Sequence, residues 1–156
     1  MVFDQIVENI IRREGGYTHH KSDPGGRTKY GISQRSYPHL DIRSLTKEDA
    51  KRIYFEDYWN PSKVERIKSE LRDTFFDMVV NMGQRRAVRI LQKAINSKHK
   101  TLKEDGLIGK KTIAASKRIS NSRLKVFRIL YYADLVDRRP SLEVFIVGWI
   151  RRAMET

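Results

Sequence analysis

The chain has 156 residues, 39% of them apolar and 10% aromatic, which suits one globular domain with a real core and excludes a disordered chain. It contains no cysteine, so disulfides, thiolate metal sites and covalent cysteine catalysis are excluded. The net charge of +13 is unevenly spread: residues 1–84 hold 14 basic and 13 acidic side chains, residues 85–118 hold 11 and 2, and residues 119–156 hold 7 and 4. A positive field of this kind gathers polyanions, whether nucleic acid, anionic lipid or wall polymer, and it belongs to the middle and end of the chain.

Phe3, Ile6, Val7, Ile10 and Ile11 follow three-four spacing and predict an amphipathic helix over 3–13, stopped by Gly15-Gly16. The opening segment carries Asp4 and Glu8 and no basic leader, so it does not read as a secretory signal peptide. Glu14 falls at the helix end, where the negative pole of the dipole disfavours a charged carboxylate, the direction a proton donor needs. Residues 15–33, GGYTHHKSDPGGRTKYGIS, hold five of the nine glycines and predict tight turns or a small hairpin.

Thr46 with Asp49 predicts a capping box at the start of a helix over 47–57, ended by Trp59-Asn60-Pro61. A helix is predicted over 70–81, with Leu71, Phe75, Met78 and Val79 at core spacing. After a break at Gly83 another runs over 84–95, with Val88, Leu91 and Ile95 on one side and Arg85, Arg86, Arg89 and Lys93 on the other. Asp105-Gly106 and Gly109 punctuate a polar stretch before a short helix from Thr112 to Lys117. Two amphipathic helices, over 122–135 and 142–153, close the set, and Trp149 reads as core beside Phe145 and Ile146. Val144–Ile150 is too short an apolar run to span a membrane. The expected fold is mainly α, about seven helices with a short Gly-rich loop or small hairpin after the first, in a single domain over 1–156.

Cleaving a glycosidic bond requires a protonated carboxyl beside the leaving oxygen and a second group that attacks the sugar or activates a water. Glu14, Asp23 nine residues on and Thr28 five beyond that offer those groups on a rigid helix end and a turn-rich loop. Each has a plainer alternative. Glu14 can bridge Arg12, Arg13 or Lys21, Asp23 can close a turn before Pro24-Gly25-Gly26, and Thr28 can serve loop hydrogen bonding. Tyr17 and Tyr30 can stack on sugar or hold the loop, while Asn81 and Gln92 can bind sugar amides or hydrogen-bond between helices. His19 and His20 are adjacent, which rarely lets both face one centre, and only His39 and His99 stand elsewhere, so no metal site is expected.

Glu14-Gly15-Gly16-Tyr17 followed by Asp23-Pro24-Gly25-Gly26-Arg27-Thr28-Lys29-Tyr30-Gly31-Ile32-Ser33 resembles the signature of glycoside hydrolase family 108, lysozyme-like muramidases common as phage endolysins. Phe76-Asp77, Asn81, Gly83 and Leu91-Gln92 are similar to the middle of the family pattern. The run Asp105 to Thr112 resembles part of its peptidoglycan-binding C-terminal region, and Gly148-Trp149-Ile150-Arg151-Arg152 its closing run. The chain departs from the pattern at His19-His20, where an Asn-Asp pair is usual, at Ser33 for Thr, and at Lys110 for Pro.

The resemblance implies hydrolysis of the β-1,4 bond between N-acetylmuramic acid and N-acetylglucosamine, with Glu14 as general acid and no metal or cofactor. A looser resemblance to phage T4-type lysozymes implies that Asp23 and Thr28 position the attacking water. Tyr17, Tyr30, Asn81 and Gln92 then become substrate-binding candidates. Residues 1–84 are expected to form the catalytic portion and 85–156 a basic helical portion resembling a peptidoglycan-binding region packed on it. Expected partners are peptidoglycan glycan strands, with anionic wall polymers or lipids met by Arg85, Arg86, Arg89 and Lys93. No specific nucleic acid is expected, because no reading helix or aromatic platform motif accompanies the charge. A monomer is expected, made in the cytoplasm, acting on the wall in the periplasm or outside the cell, with a holin or similar pore as indirect helper. Two alternatives stay open: a non-catalytic wall-glycan-binding or structural module, and a lytic transglycosylase using the same Glu14.

Overall fold

The computed structural model describes residues 2–19 and 26–156. Among them the order is α1 (Val2–Glu14), β1 (Thr18–His19), β2 (Arg27–Lys29), β3 (Ile32–Ser33), α2 (Lys47–Ile53), α3 (Arg72–Met82), α4 (Gln84–Asn96), α5 (Lys110–Ser116), α6 (Asn121–Arg138) and α7 (Ile146–Glu155). The fold is mainly α-helical, with seven α-helices and a small antiparallel sheet after the first, as expected. The chain divides into two compact units, Met1–Asp57 and Tyr58–Thr156.

In the first unit α1 buries Ile6, Val7, Ile10 and Ile11, the stripe its spacing predicts, and packs on α2. The capping box forms. The Thr46 hydroxyl accepts the Asp49 N–H at 3.1 Å, and the Asp49 carboxylate accepts the Thr46 N–H at 3.1 Å. Hydrogen bonds from Lys47 and then Lys51 hold the Glu8 carboxyl on α1 at about 2, below the usual carboxylate range. The helix expected over 47–57 is α-helical only to Ile53, and Tyr54–Trp59 forms a π-helical turn. One residue more per hydrogen-bonded ring shifts every later side chain around the axis, and apolar spacing does not announce such a change.

In the second unit α3 buries Phe75, Phe76, Met78 and Val79, and α4 buries Ala87, Val88, Leu91, Ala94 and Ile95. The two helices pack on each other and on α6. Trp59 is core, its ring edge-on to Phe76 at 5.0 Å between centroids. Because α3 packs so closely on α4, residues 58–84 belong with the helices that follow them. The catalytic portion expected over 1–84 therefore spans one whole unit and the opening of the next.

The last two helices depart from the expected core. On α6 the buried residues are Leu124, Arg128 and Tyr132, while Leu130 is 54% exposed. The reason is a buried carboxylate, Asp77 on α3, which draws the Arg128 guanidinium inward and turns the apolar stripe of α6 partly outward. On α7 only Ala153 is buried. Trp149 is half-buried, a correction to its reading as core, and its ring stacks between Tyr132 and Phe145. Among the described residues no helix is long and apolar enough to cross a membrane.

Candidate active site

Glu14 is the last residue of α1, and Gly15, at φ 79°, turns the chain away while its N–H donates to the Ile11 carbonyl at 3.1 Å. The chain returns through β2 and β3, which pair with Lys29 opposite Ile32 and leave Tyr30 and Gly31 as a two-residue loop. Both loop residues have positive φ, 53° and 80°, the conformation whose twist matches that of the flanking strands. Two hydrogen bonds fasten this turn. The Tyr30 N–H donates to the Gly15 carbonyl at 3.1 Å, and the Tyr54 hydroxyl donates to the Tyr30 carbonyl at 2.9 Å. The half-buried Glu14 side chain is thereby held between a helix end and a hairpin turn.

Gly31 sets the closeness of that contact. A Cβ there would fall inside contact distance of the Tyr54 hydroxyl, 2.9 Å from Glu14 Cγ and 3.0 Å from Glu14 Cβ. Neither Gly31 nor Tyr54 stood among the sequence-derived candidates. The Tyr30-Gly31 pair between two short strands is the one local signal that marks the turn, and nothing local marks Tyr54. Gly31→Ala is expected to cost about 1–3 kcal/mol through the left-handed backbone and the crowding. A urea melt of the variant beside that of the unsubstituted chain checks the loss.

The other candidates divide between the units. Thr28 lies in β2, half-buried, paired with Thr18 on one side and Ser33 on the other. Tyr17 is 38% exposed just before β1, and Tyr30 carries the Lys29 ammonium 5.5 Å from its ring centroid. Asp23 and His20 lie outside the described residues.

Asn81 and Gln92 belong to the second unit. The exposed Asn81 accepts the Tyr132 hydroxyl at 3.0 Å. Gln92 is 1% exposed, and its amide nitrogen donates to Asp105 Oδ1 at 3.0 Å, the Leu107 carbonyl at 3.2 Å and Thr112 Oγ1 at 3.3 Å. Its amide oxygen accepts the Gly106 N–H at 2.9 Å. An amide so fully engaged favours the hydrogen-bonding reading of Gln92 over sugar binding, with the 105–107 turn as its main partner beside Thr112 on α5. The Gly106 turn it holds tolerates no side chain, since a Cβ would lie 2.6 Å from the Arg85 carbonyl. The Leu107 N–H and the Gln92 amide, both bonded to its carboxylate, keep the Asp105 carboxyl below the usual range. Of the four α4 cations, Arg86, Arg89 and Lys93 line a groove in the second unit, while Arg85 sits against the Gly106 turn.

Two family descriptions match in succession, Glycosyl hydrolase 108 over residues 7–83 and Predicted Peptidoglycan domain over residues 86–154. Among solved structures the chain is similar to Brucella abortus SagA, with a TM-score of 0.80 and 27% identity, covering 98% of this chain and 90% of that one. No curated protein matches it.

Proposed function

We propose, from the premise that this chain belongs to the glycosyl hydrolase 108 family and is a glycoside hydrolase with a peptidoglycan domain, that it cleaves the β-1,4 bond between N-acetylmuramic acid and N-acetylglucosamine. The observation that carries this reading is the setting of Glu14. Its carboxyl stands at a rigid helix end, inside the matched hydrolase region, with its carbons clamped by the Tyr30-Gly31 turn. In the proposed step Glu14 gives its proton to the bridging oxygen as the bond to the anomeric carbon breaks. A water adds to that carbon and passes a proton to Asp23, with Thr28 orienting the water and Tyr17 and Tyr30 bordering the sugars. This is the two-carboxyl division of labour that glycoside hydrolysis requires. Asn81, with the cations of α4, is assigned to the wall polymer outside the reacting unit. The enzyme acts as a monomer on the wall, reached through a holin-type pore.

Mass analysis of fragments released from purified walls tests the reaction. Hydrolysis yields reducing muramic ends. A lytic transglycosylase using the same Glu14 yields anhydro ends lighter by one water, and their appearance as the main product would replace the hydrolytic reading.

A further inference from the structure

The second unit contains a groove of 1020 Å³ between α4, α6, the 3-10 turn Pro140–Phe145 and α7. The catalytic step proposed above does not use it. All of its lining lies between Arg86 and Trp149, within the stretch matched as a predicted peptidoglycan domain. Two kinds of side chain meet there. Trp149 and Phe145 line it and, with the buried Tyr132 next to them, form a ladder of stacked rings, 5.2 and 5.7 Å apart between centroids and each step tilted by 26°. The ladder is buried at Tyr132 and reaches the groove at Trp149 and Phe145, the latter 53% exposed.

Around it stand Arg86, Arg89 and Lys93 from α4, Arg138 at the end of α6, and Arg139 just beyond it. Asp134, the one acid in the lining, is bonded to Arg138. Among the described residues no acid pairs with Arg86, Arg89, Lys93 or Arg139. The Arg89 Nε donates to the Glu104 carbonyl at 3.2 Å, which orients the guanidinium and leaves its charge uncompensated. Four uncompensated cations around a hollow call for an anionic occupant. Guanidinium groups take carboxylates in paired hydrogen bonds, and a bare ring takes the apolar face of a sugar or an acetamido methyl.

We infer that this groove holds the peptide-bearing disaccharide of the wall, with stem-peptide carboxylates on Arg86, Arg89 and Arg139 and the N-acetylated sugar against Phe145 and Trp149. The inference rests on the wall-hydrolase reading and adds to it a second, non-reacting site that selects strands still carrying acidic peptides. A phospholipid headgroup or a nucleic acid strand would also meet the cations. The wall polymer is favoured because the whole groove lies inside the peptidoglycan-matched stretch.

The test uses the full chain, titrated by calorimetry with soluble N-acetylglucosaminyl-N-acetylmuramyl pentapeptide, which lacks the muramyl-to-glucosaminyl bond and so survives. The same disaccharide stripped of peptide serves as control. The peptide-bearing ligand should bind about tenfold tighter, and R89E/R139E should remove about that tenfold. Phe145→Ala should weaken both ligands. These side chains lie at the surface, and circular dichroism verifies the fold of each variant. Arg86→Gln, which removes a single charge, serves if the double variant misfolds. Equal binding of the two ligands, or indifference to every arginine variant, overturns the inference. Tighter arginine-dependent binding of phosphatidylglycerol vesicles or single-stranded oligonucleotide overturns it in favour of those partners. Wall lysis by the unsubstituted chain is scored separately. Lost lysis with retained binding sinks the hydrolase reading alone, and retained lysis without binding sinks the groove alone.

Discussion

Glu14→Gln is expected to lower the release of reducing ends from purified walls by roughly 100-fold or more, the scale of general acid catalysis. The amide keeps the volume and reach of the carboxyl and removes only the transferable proton. The methylene carbons of the side chain lie against Gly31, and that packing persists in glutamine. Urea denaturation of the variant should therefore match that of the unsubstituted chain. Undiminished release by Glu14→Gln would assign the proton donor elsewhere.

Arg128→Met is expected to destabilise the second unit by about 3–5 kcal/mol, a large share of what a domain has. Arg128 and Asp77 are both fully buried and bonded at 2.6 Å. The Arg128 Nε donates to the Tyr132 hydroxyl at 3.1 Å and its Nη1 to Thr156 Oγ1 at 3.3 Å. Arg152 on α7 adds donors to both Asp77 oxygens, at 3.0 Å from Nη2 to Oδ1 and 3.0 Å from Nε to Oδ2. One carboxylate thus ties α3, α6 and α7 together, and removing Arg128 takes away its shortest ion pair. Asp77→Leu combined with Arg128→Met should recover most of the loss, because the penalty comes from a buried charge left under-compensated more than from the missing attraction. A double variant as unstable as the single would refute that account.

The same cluster predicts an acid limb. Burial pushes the Asp77 carboxyl upward, but Arg152 and Arg128 outweigh it and hold the group below its usual value. A carboxyl lowered in the folded state binds fewer protons than its unfolded counterpart. Its stabilising contribution is therefore complete above the ordinary aspartate value near pH 4 and is lost as pH falls below it. Glu8, at about 2, acts in the same direction. Urea stability of the unsubstituted chain should fall below about pH 4, and Arg128→Met should flatten that slope.

Much of the architecture is legible one element at a time. Three-four spacing locates α1 and α4, because each buries one apolar face, the apolar run locates α3, which is buried all round from Thr74 to Val79, and Thr46 with Asp49 marks the start of α2 through a local capping box. Glu14 is legible as well, since a helix stopped by two glycines places its last carboxyl at a rigid end. The motif fragments Asp77, Gln92, Asp105 to Thr112 and Arg152 can be read as a pattern, yet their spacing does not reveal what they do. In the fold Asp77 meets Arg152 across 75 positions, and Gln92 clasps the Asp105-Gly106 turn.

Composition and local periodicity determine where the helices run, which carboxyl ends the first, and where the positive charge collects, because those properties depend on neighbours within a turn or two. The tertiary structure alone decides the inward face of α6, the half-burial of Trp149, the fit of Gly31 against Glu14 and Tyr54, and the ring-lined basic groove. Each of these depends on a partner supplied by a distant segment. A buried carboxylate on α3 outbids the apolar stripe of α6, since an unpaired charge in the interior costs more than several half-exposed hydrophobic side chains.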